Sequence, residues 1–247
     1  MGLIDFPFLW DTLQTLLPGI PLTLKLAASA VLCGVLLSAL LAAMRLSGNR
    51  VVDGIARLYI LVFRGTPLLV QLFIIYYGLG QFPGLRSSFL WPYLREAYWC
   101  ALLALTLNTA AYAAEIIRGG VLSVAANQIE AARAFGMSPF TAYRRIIIPQ
   151  ALRPMLPGYG NEVILMVKAT ALASTVTLME VTGIAARLIS ETYRSVEVFL
   201  CAGAIYLAIN FLIARLFRAL ETFMTPEKRA PKVLAAGIPE SKVNTHG

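Results

Sequence analysis

Residues 26–44 read LAASAVLCGVLLSALLAAM, nineteen positions without an Asp, Glu, Lys or Arg. At ~1.5 Å per residue a helix of that length reaches ~28 Å, close to the thickness of a bilayer's hydrocarbon core. Residues 65–85 and 97–114 are equally uncharged, 198–214 form a slightly shorter run, and 163–179 are interrupted only by Lys168. The expected fold is an all-α polytopic membrane protein with about five transmembrane helices.

The wider composition agrees. Of 247 residues, 58% are hydrophobic and 14% charged, against about 25% charged in a soluble domain. The net charge of +8 is dispersed over the loops with no basic stripe and no nucleic-acid motif, so no nucleic-acid partner is expected. The cations report topology instead. Arg45, Arg50 and Arg57 lie between spans one and two, Arg118, Arg133, Arg144, Arg145 and Arg153 between three and four, and Arg215, Arg218, Lys228, Arg229, Lys232 and Lys242 after span five. By the positive-inside rule those segments are cytoplasmic, which puts the N-terminus outside and the C-terminus inside.

Several classes of chemistry are disfavoured. The single histidine, His246, lies in the C-terminal tail, so neither histidine base catalysis nor a histidine metal site is expected. Cys33, Cys100 and Cys201 fall in different apolar runs and suit membrane-buried positions better than disulfides. No Gly-Lys dipeptide occurs, which excludes a phosphate-binding loop, so any ATP hydrolysis belongs to a partner. Gly78, Gly80 and Gly84 imitate a dinucleotide fingerprint but sit at the end of an apolar helix. No catalytic residue, metal site or cofactor is therefore expected in this chain.

Outside the spans, residues 7–17 suggest a short helix in the outer interface. Residues 51–63 (VVDGIARLYILVF) suggest an amphipathic stretch along the inner surface, with 65–85 crossing alone and Thr66 and Pro67 in the first turn of that span. Glu115 and Arg118, three apart, can pair at the membrane boundary. No internal repeat is visible, so a partner copy or homologue is implied. Residues 1–229 form one transmembrane domain with a cytoplasmic loop over 119–153, and 230–247 (APKVLAAGIPESKVNTHG) have the composition of a disordered tail.

The cytoplasmic loop is the most informative stretch. From Asn127 it reads NQIEAARAFGMSPF and continues to Ile146, Ile148 and Pro149. Asn127 can cap a helix with Glu130 reaching back, Gly136 supplies a left-handed end, Ser138 caps a second helix with Pro139 in its first turn, and Pro149 opposes continuation. Ala131, Ala132 and Ala134 leave a slim surface beside Glu130 and Arg133. Such a hairpin suits either an ordinary interfacial position or insertion into a groove on a partner.

The spacing Glu130-Ala131-Ala132, Gly136, Ile146 and Pro149 resembles the EAA loop of permease subunits of bacterial ATP-binding-cassette importers, with Ile148 replacing the usual leucine. The sequences FRGTPL at 63–68, AAEI at 113–116 with Arg118-Gly119-Gly120, PQALR at 149–153, LPGYGNEVILM at 156–166 and ATALA at 169–173 are similar to the polar amino-acid branch. They look most like the second permease subunit of histidine, lysine/arginine/ornithine and opine importers. Asn127 departs from the glycine that many members carry before Gln128. The resemblance implies a type I importer permease fold in the bacterial inner membrane. It also implies a homologous permease partner forming a heterodimer or a homodimer, two cytoplasmic ATPase subunits that hold the ATP and Mg, and an external solute-binding protein. In that family the loop helix docks on the ATPase, so Glu130, Ala131, Ala132 and Gly136 carry over as coupling residues. An ATP-independent secondary transporter or channel explains the spans but not the loop.

Glu162 is the one acidic residue well inside an apolar region, and an intramembrane carboxylate marks function by default. At 100° per residue, Met166 and Ala169 fall on its face, with Thr170 somewhat further round, while Lys168 points away. Glu162, Met166, Ala169 and Thr170 are the expected substrate-binding set. Glu162 needs a cation from elsewhere, either a basic amino acid or opine, or the partner permease.

Overall fold

The structure, a computed structural model, describes residues 5–224. Helix α1 (Phe6–Leu16) starts where the Asp5 carboxylate accepts the Phe8 N–H. A tight turn at Leu17–Gly19 passes the chain directly into α2 (Ile20–Arg45). Pro18 and Pro21 both occupy first-turn positions, where a missing N–H costs nothing, so the rod tightens without breaking. The short helix expected over 7–17 is present, but Thr12 and Leu16 are buried and α1 packs against the last helix of the chain.

Helix α3 (Arg50–Gly65) opens at Asn49, whose side chain accepts the N–H groups of Val51 and Val52. It stands apart from α4 (Leu68–Phe73), which continues through a π turn at Ile74–Gly78 and a tight turn at Leu79–Gln81. The two halves meet at 102°, in keeping with a separate amphipathic stretch. The uncharged run 65–85 is nevertheless not one helix. Its helical part, Leu68–Gln81, reaches ~21 Å, short of the ~30 Å core. Thr66 and Phe82 both precede prolines and are extended, because the proline ring excludes the helical region for the residue before it. Pro67 thus stands at the N-cap of α4 instead of in its first turn.

Short helices α5 (Pro83–Arg86) and α6 (Trp91–Leu94) lead to α7 (Ala97–Leu122). The loop follows with α8 (Ala126–Ala134) and α9 (Pro139–Ala142). A π turn at Tyr143–Ile147 then joins α9 to α10 (Ile148–Ala169). Pro149, expected to oppose continuation, sits in the first turn of α10. The wider π turn before it takes up the missing hydrogen bond and the ring, so the helical path is unbroken from Pro139 to Val176. The last part of that path, Thr170–Val176, is a tighter 3₁₀ segment.

A break follows at Thr177, which is left-handed, before α11 (Val181–Thr192) and α12 (Ser195–Met224). Glu180 is fully buried there. It accepts hydrogen bonds from the Gly183 N–H at 2.9 Å, the Tyr206 hydroxyl at 2.5 Å and the Thr23 hydroxyl at 3.4 Å.

Three helical segments are long and apolar enough to cross a membrane alone: Phe6–Arg45, Ala97–Leu122 and Ser195–Met224. Two bent pairs, Arg50–Gly65 with Leu68–Gln81 and Pro139–Val176 with Val181–Thr192, bring the total to five if each pair is one span. The expected tail at 230–247 lies outside the described residues.

Helices α2 and α7 form the centre, with α10 packed on α7 and α12. Small residues make this possible: Ala101, Ala104, Ala110, Ala111, Ala113 and Ala114 of α7 are all buried. Close backbone approach is how helices associate without a hydrophobic driving force in lipid. A Cβ at Gly34 of α2 would meet the Thr109 methyl of α7 at 2.4 Å, whereas one at Gly54 of α3 would meet nothing within 4 Å. Gly34→Ala should therefore lower the thermal midpoint of the solubilised protein, at a cost of roughly 1–3 kcal/mol from overpacking. Gly54→Ala should not lower it, and equal midpoints would refute the close approach.

Arg194 holds α1 to the start of α12. It donates to Asp5 at 3.0 Å and to Glu197 at 2.9 Å, and stacks on Phe8. The hydrogen bond from Arg194, followed by that from the Phe8 N–H, holds the Asp5 carboxyl below its ordinary value. Such a contribution is present above the unfolded carboxylate pKa and is lost as pH falls through the lowered folded value. The protection of the α1 amides, corrected for the intrinsic slowing of exchange in acid, should fall on acidification through that range, and Asp5→Asn should weaken the dependence.

Candidate functional site

Helices α7 and α10 bring Thr109 and Glu162 together near the middle of the bundle. Glu162 is 7% exposed, and the Thr109 hydroxyl donates to one of its carboxylate oxygens at 2.7 Å. Among the described residues this is its one hydrogen bond, and no cation lies within ion-pair distance of it. Lys168 is exposed, as its position on the helix requires. A cavity of about 200 Å³ opens beside the carboxylate, lined by Asn108, Tyr112, Glu162, Leu165, Met166 and Ala169. Glu162, Met166 and Ala169 of the expected set thus share one wall.

Thr170 does not line this cavity. It is fully buried, with its hydroxyl on the Val167 carbonyl at 2.7 Å. Eight residues at 100° already carry Thr170 about 80° round from Glu162, and the tighter 3₁₀ turn that begins there carries it slightly further.

Asn108, Thr109 and Tyr112 were not singled out from sequence. A signal was available, since Asn108, Tyr112 and Glu115 recur at i, i+4 and i+7 and so form one polar stripe on an otherwise apolar helix. The Asn108 amide donates to Gln71 at 3.0 Å and to the Phe63 carbonyl at 3.2 Å. Gln71 in turn donates to the Phe63 carbonyl at 2.9 Å and the Thr66 hydroxyl at 2.8 Å. This net satisfies a carbonyl left open where α3 ends, tying the α3–α4 bend to the cavity wall.

At one end of α7 lies a charged cluster. Glu115 accepts from Arg118 at 2.8 Å, the pairing expected from their spacing, and also from Arg45 at 3.0 Å. Arg45 bonds Asp53 as well, and Asp53 accepts from Arg57 at 2.8 Å. The cluster joins α2, α3 and α7.

The loop lies at this same end. Helix α8 begins after Ala125, which is extended and makes no side-chain cap, so Asn127 is inside the helix and the expected capping box with Glu130 does not form. Its C-terminus is as expected. Gly136 has φ +68°, the Met137 N–H bonds the Ala132 carbonyl at 3.1 Å, and the Gly136 N–H bonds Arg133 at 2.9 Å, which together form a Schellman end. Ser138 caps α9 by accepting the Thr141 N–H, with Pro139 in the first turn. Glu130, Ala131 and Gly136 are exposed. Ala132 is 2% exposed and turned inward as α8 packs on the 143–147 turn. Phe135 and Phe140, not singled out from sequence, are 84% and 75% exposed on either side of the Gly136 turn.

A family model described as a binding-protein-dependent transport system inner membrane component matches residues 34–226, from within α2 to the end of the bundle. The chain belongs to this family. It is 68% identical over 222 residues to the octopine transport system permease protein of Rhizobium meliloti, covering 90% of this chain and 91% of the relative. To the histidine/lysine/arginine/ornithine transport system permease protein of Salmonella typhimurium it is 44% identical over 204 residues, covering 82% and 87%. A solved amino acid ABC transporter with histidines superimposes with a TM-score of 0.77 at 38% identity, over 88% of this chain and 98% of that one. The chain is thus an inner-membrane permease subunit of an ATP-binding-cassette importer, and such a subunit works with an ATPase and a solute-binding protein.

A Cβ at Gly136 would meet nothing within 4 Å, so substitution there tests backbone conformation alone. Gly136→Val should cost at least about 1 kcal/mol, and Gly136→Asn less, because only asparagine tolerates the left-handed region. Proteolytic cleavage of the loop in the assembled transporter should be faster for the valine variant. Equal cleavage of both variants would contradict the turn.

Proposed function

We propose that this permease imports a cationic amino-acid derivative, an opine or a basic amino acid, with Glu162 as its counter-charge. The observation that carries the reading is a buried carboxylate that has a single hydroxyl partner and a cavity at its side. An ammonium, imidazolium or guanidinium entering that cavity would complete the charge-assisted contacts the protein leaves open. Met166 and Ala169 shape the apolar wall, while Thr170 supports it from within the core. The substrates named for the octopine and histidine/lysine/arginine/ornithine relatives agree with a cationic solute.

The same reading assigns the loop to ATPase coupling. The end of the bundle carrying α8 is the cytoplasmic end, with the N-terminus on the opposite side. Exposed Glu130, Ala131 and the Gly136 turn, flanked by Phe135 and Phe140, form the surface offered to the ATPase, and Ala132 fixes α8 to its own subunit. The working complex pairs this chain with a homologous, non-identical permease and two ATPase subunits that hold ATP and Mg.

Glu162→Gln keeps size and hydrogen bonding to Thr109 but removes the charge. It should weaken uptake of arginine or lysine by the reconstituted complex tenfold to a hundredfold, about 1.5–3 kcal/mol, while the complex still assembles. Unchanged apparent affinity in a normally assembled variant would reject the counter-charge, and loss of assembly without a substrate effect would reassign Glu162 to packing.

A further inference from the structure

The Glu162 cavity is not the only space along α7. A larger one of about 660 Å³ opens toward the end that carries α8, and its walls include Arg45, Arg57, Arg64, Tyr112 and Glu115. Tyr112 is the one residue that lines both spaces. Its position follows from the polar stripe of α7. Asn108 belongs to the Glu162 cavity, Glu115 to the larger space, and Tyr112 stands between them, one helical turn from each. The Arg64 guanidinium lies over the Tyr112 ring, 5.0 Å from its centroid.

We propose that Tyr112 is the partition between the substrate cavity and an exit vestibule, and that Arg64, stacked on its ring, is the latch a cationic solute releases. The latch rests on the reading of Glu162 as counter-charge, whereas the partition does not. Arg64 holds the ring by a cation–π contact, with the Glu162 carboxylate as the nearest uncompensated negative charge on the cavity side. A solute cation at Glu162 neutralises that carboxylate and places a like charge near Arg64. The guanidinium then loses its attraction on the cavity side and moves toward the open vestibule, where its charge is hydrated. The ring, no longer held, can rotate about its side-chain bonds.

The vestibule is suited to release. Its carboxylate, Glu115, is already bonded by Arg45 and Arg118, so it cannot trap a departing cation. Arg45 and Arg57 are engaged by Glu115 and Asp53, so this space offers a departing cation no free carboxylate on its way to bulk water. Binding is strong where the carboxylate is under-partnered and weak one step further on.

The partition can be tested by thiol accessibility in the assembled transporter. Ala169→Cys places a reporter on the wall of the Glu162 cavity, in a Cys33→Ser background because Cys33 is exposed while Cys100 and Cys201 are buried. A charged, membrane-impermeant methanethiosulfonate reagent is supplied from the side of the Glu130 loop to complexes reconstituted in vesicles. Labelling should be slow with Tyr112 intact and equally slow in Tyr112→Phe. It should be about fivefold to tenfold faster in Tyr112→Ala and in Arg64→Gln, the change that loss of one partly desolvated cation–π contact allows. Tyr112→Leu replaces Tyr112→Ala if the latter does not assemble. Faster labelling in the tyrosine and arginine variants supports the partition whatever Glu162→Gln does to uptake. Unchanged labelling in both overturns it, even where Glu162→Gln abolishes uptake.

Discussion

The hydrogen bond from Thr109 to Glu162 is made where α2, α7 and α10 cross, and each helix contributes to it. Gly34 lets α2 lie against the Thr109 methyl, while the Thr109 hydroxyl is turned to α10. The magnitudes do not balance at this point. Taking a carboxylate out of water costs several kcal/mol, and a hydrogen bond to a charged group returns about 1.5–3 kcal/mol. The shortfall leaves the carboxylate under-partnered, and the packing of three helices holds it beside the cavity.

The other interior or boundary carboxylates are treated differently. Glu180 is fully buried but receives an amide and two hydroxyl hydrogen bonds, so it serves as a cap for the break before α11. Glu115 is shared by Arg118 and Arg45, and Asp53 by Arg45 and Arg57, so three arginines join α2, α3 and α7. Completed carboxylates fasten elements together here. The incomplete one faces a cavity.

What could be read in advance depended on range. The apolar runs, the left-handed Gly136, the Ser138 cap, the Glu115–Arg118 pair and the cavity face of Glu162 all follow from residues within two turns of one another, where helical geometry is a sufficient guide. Thr170 lies off the cavity wall because it is already well round the helix from Glu162, and Asn127 is not the cap because α8 begins two residues earlier, after the uncapped Ala125. The run 65–85 shows the opposite limit, since an absence of charge takes no account of Thr66-Pro67 and Phe82-Pro83, whose backbones break the helix. Thr109 and the Arg45 cluster depend on partners some fifty or more positions away, as with Thr109 to Glu162 and Arg45 to Glu115. No local pattern encodes such meetings.

The continuity of the path from Pro139 to Val176 has a mechanical consequence. Three prolines lie along it, at 149, 154 and 157, yet the helix is not interrupted. Glu162 is 23 residues from Pro139, or ~35 Å of helix. The segment is therefore a stiff arm with its short end in the loop and the carboxylate far along its length. A tilt of only ~5° about the loop end would sweep the carboxylate sideways by ~3 Å over that ~35 Å arm. That displacement exceeds the margin of a hydrogen bond, so a small rotation at the base is enough to make or break the contact between Glu162 and Thr109.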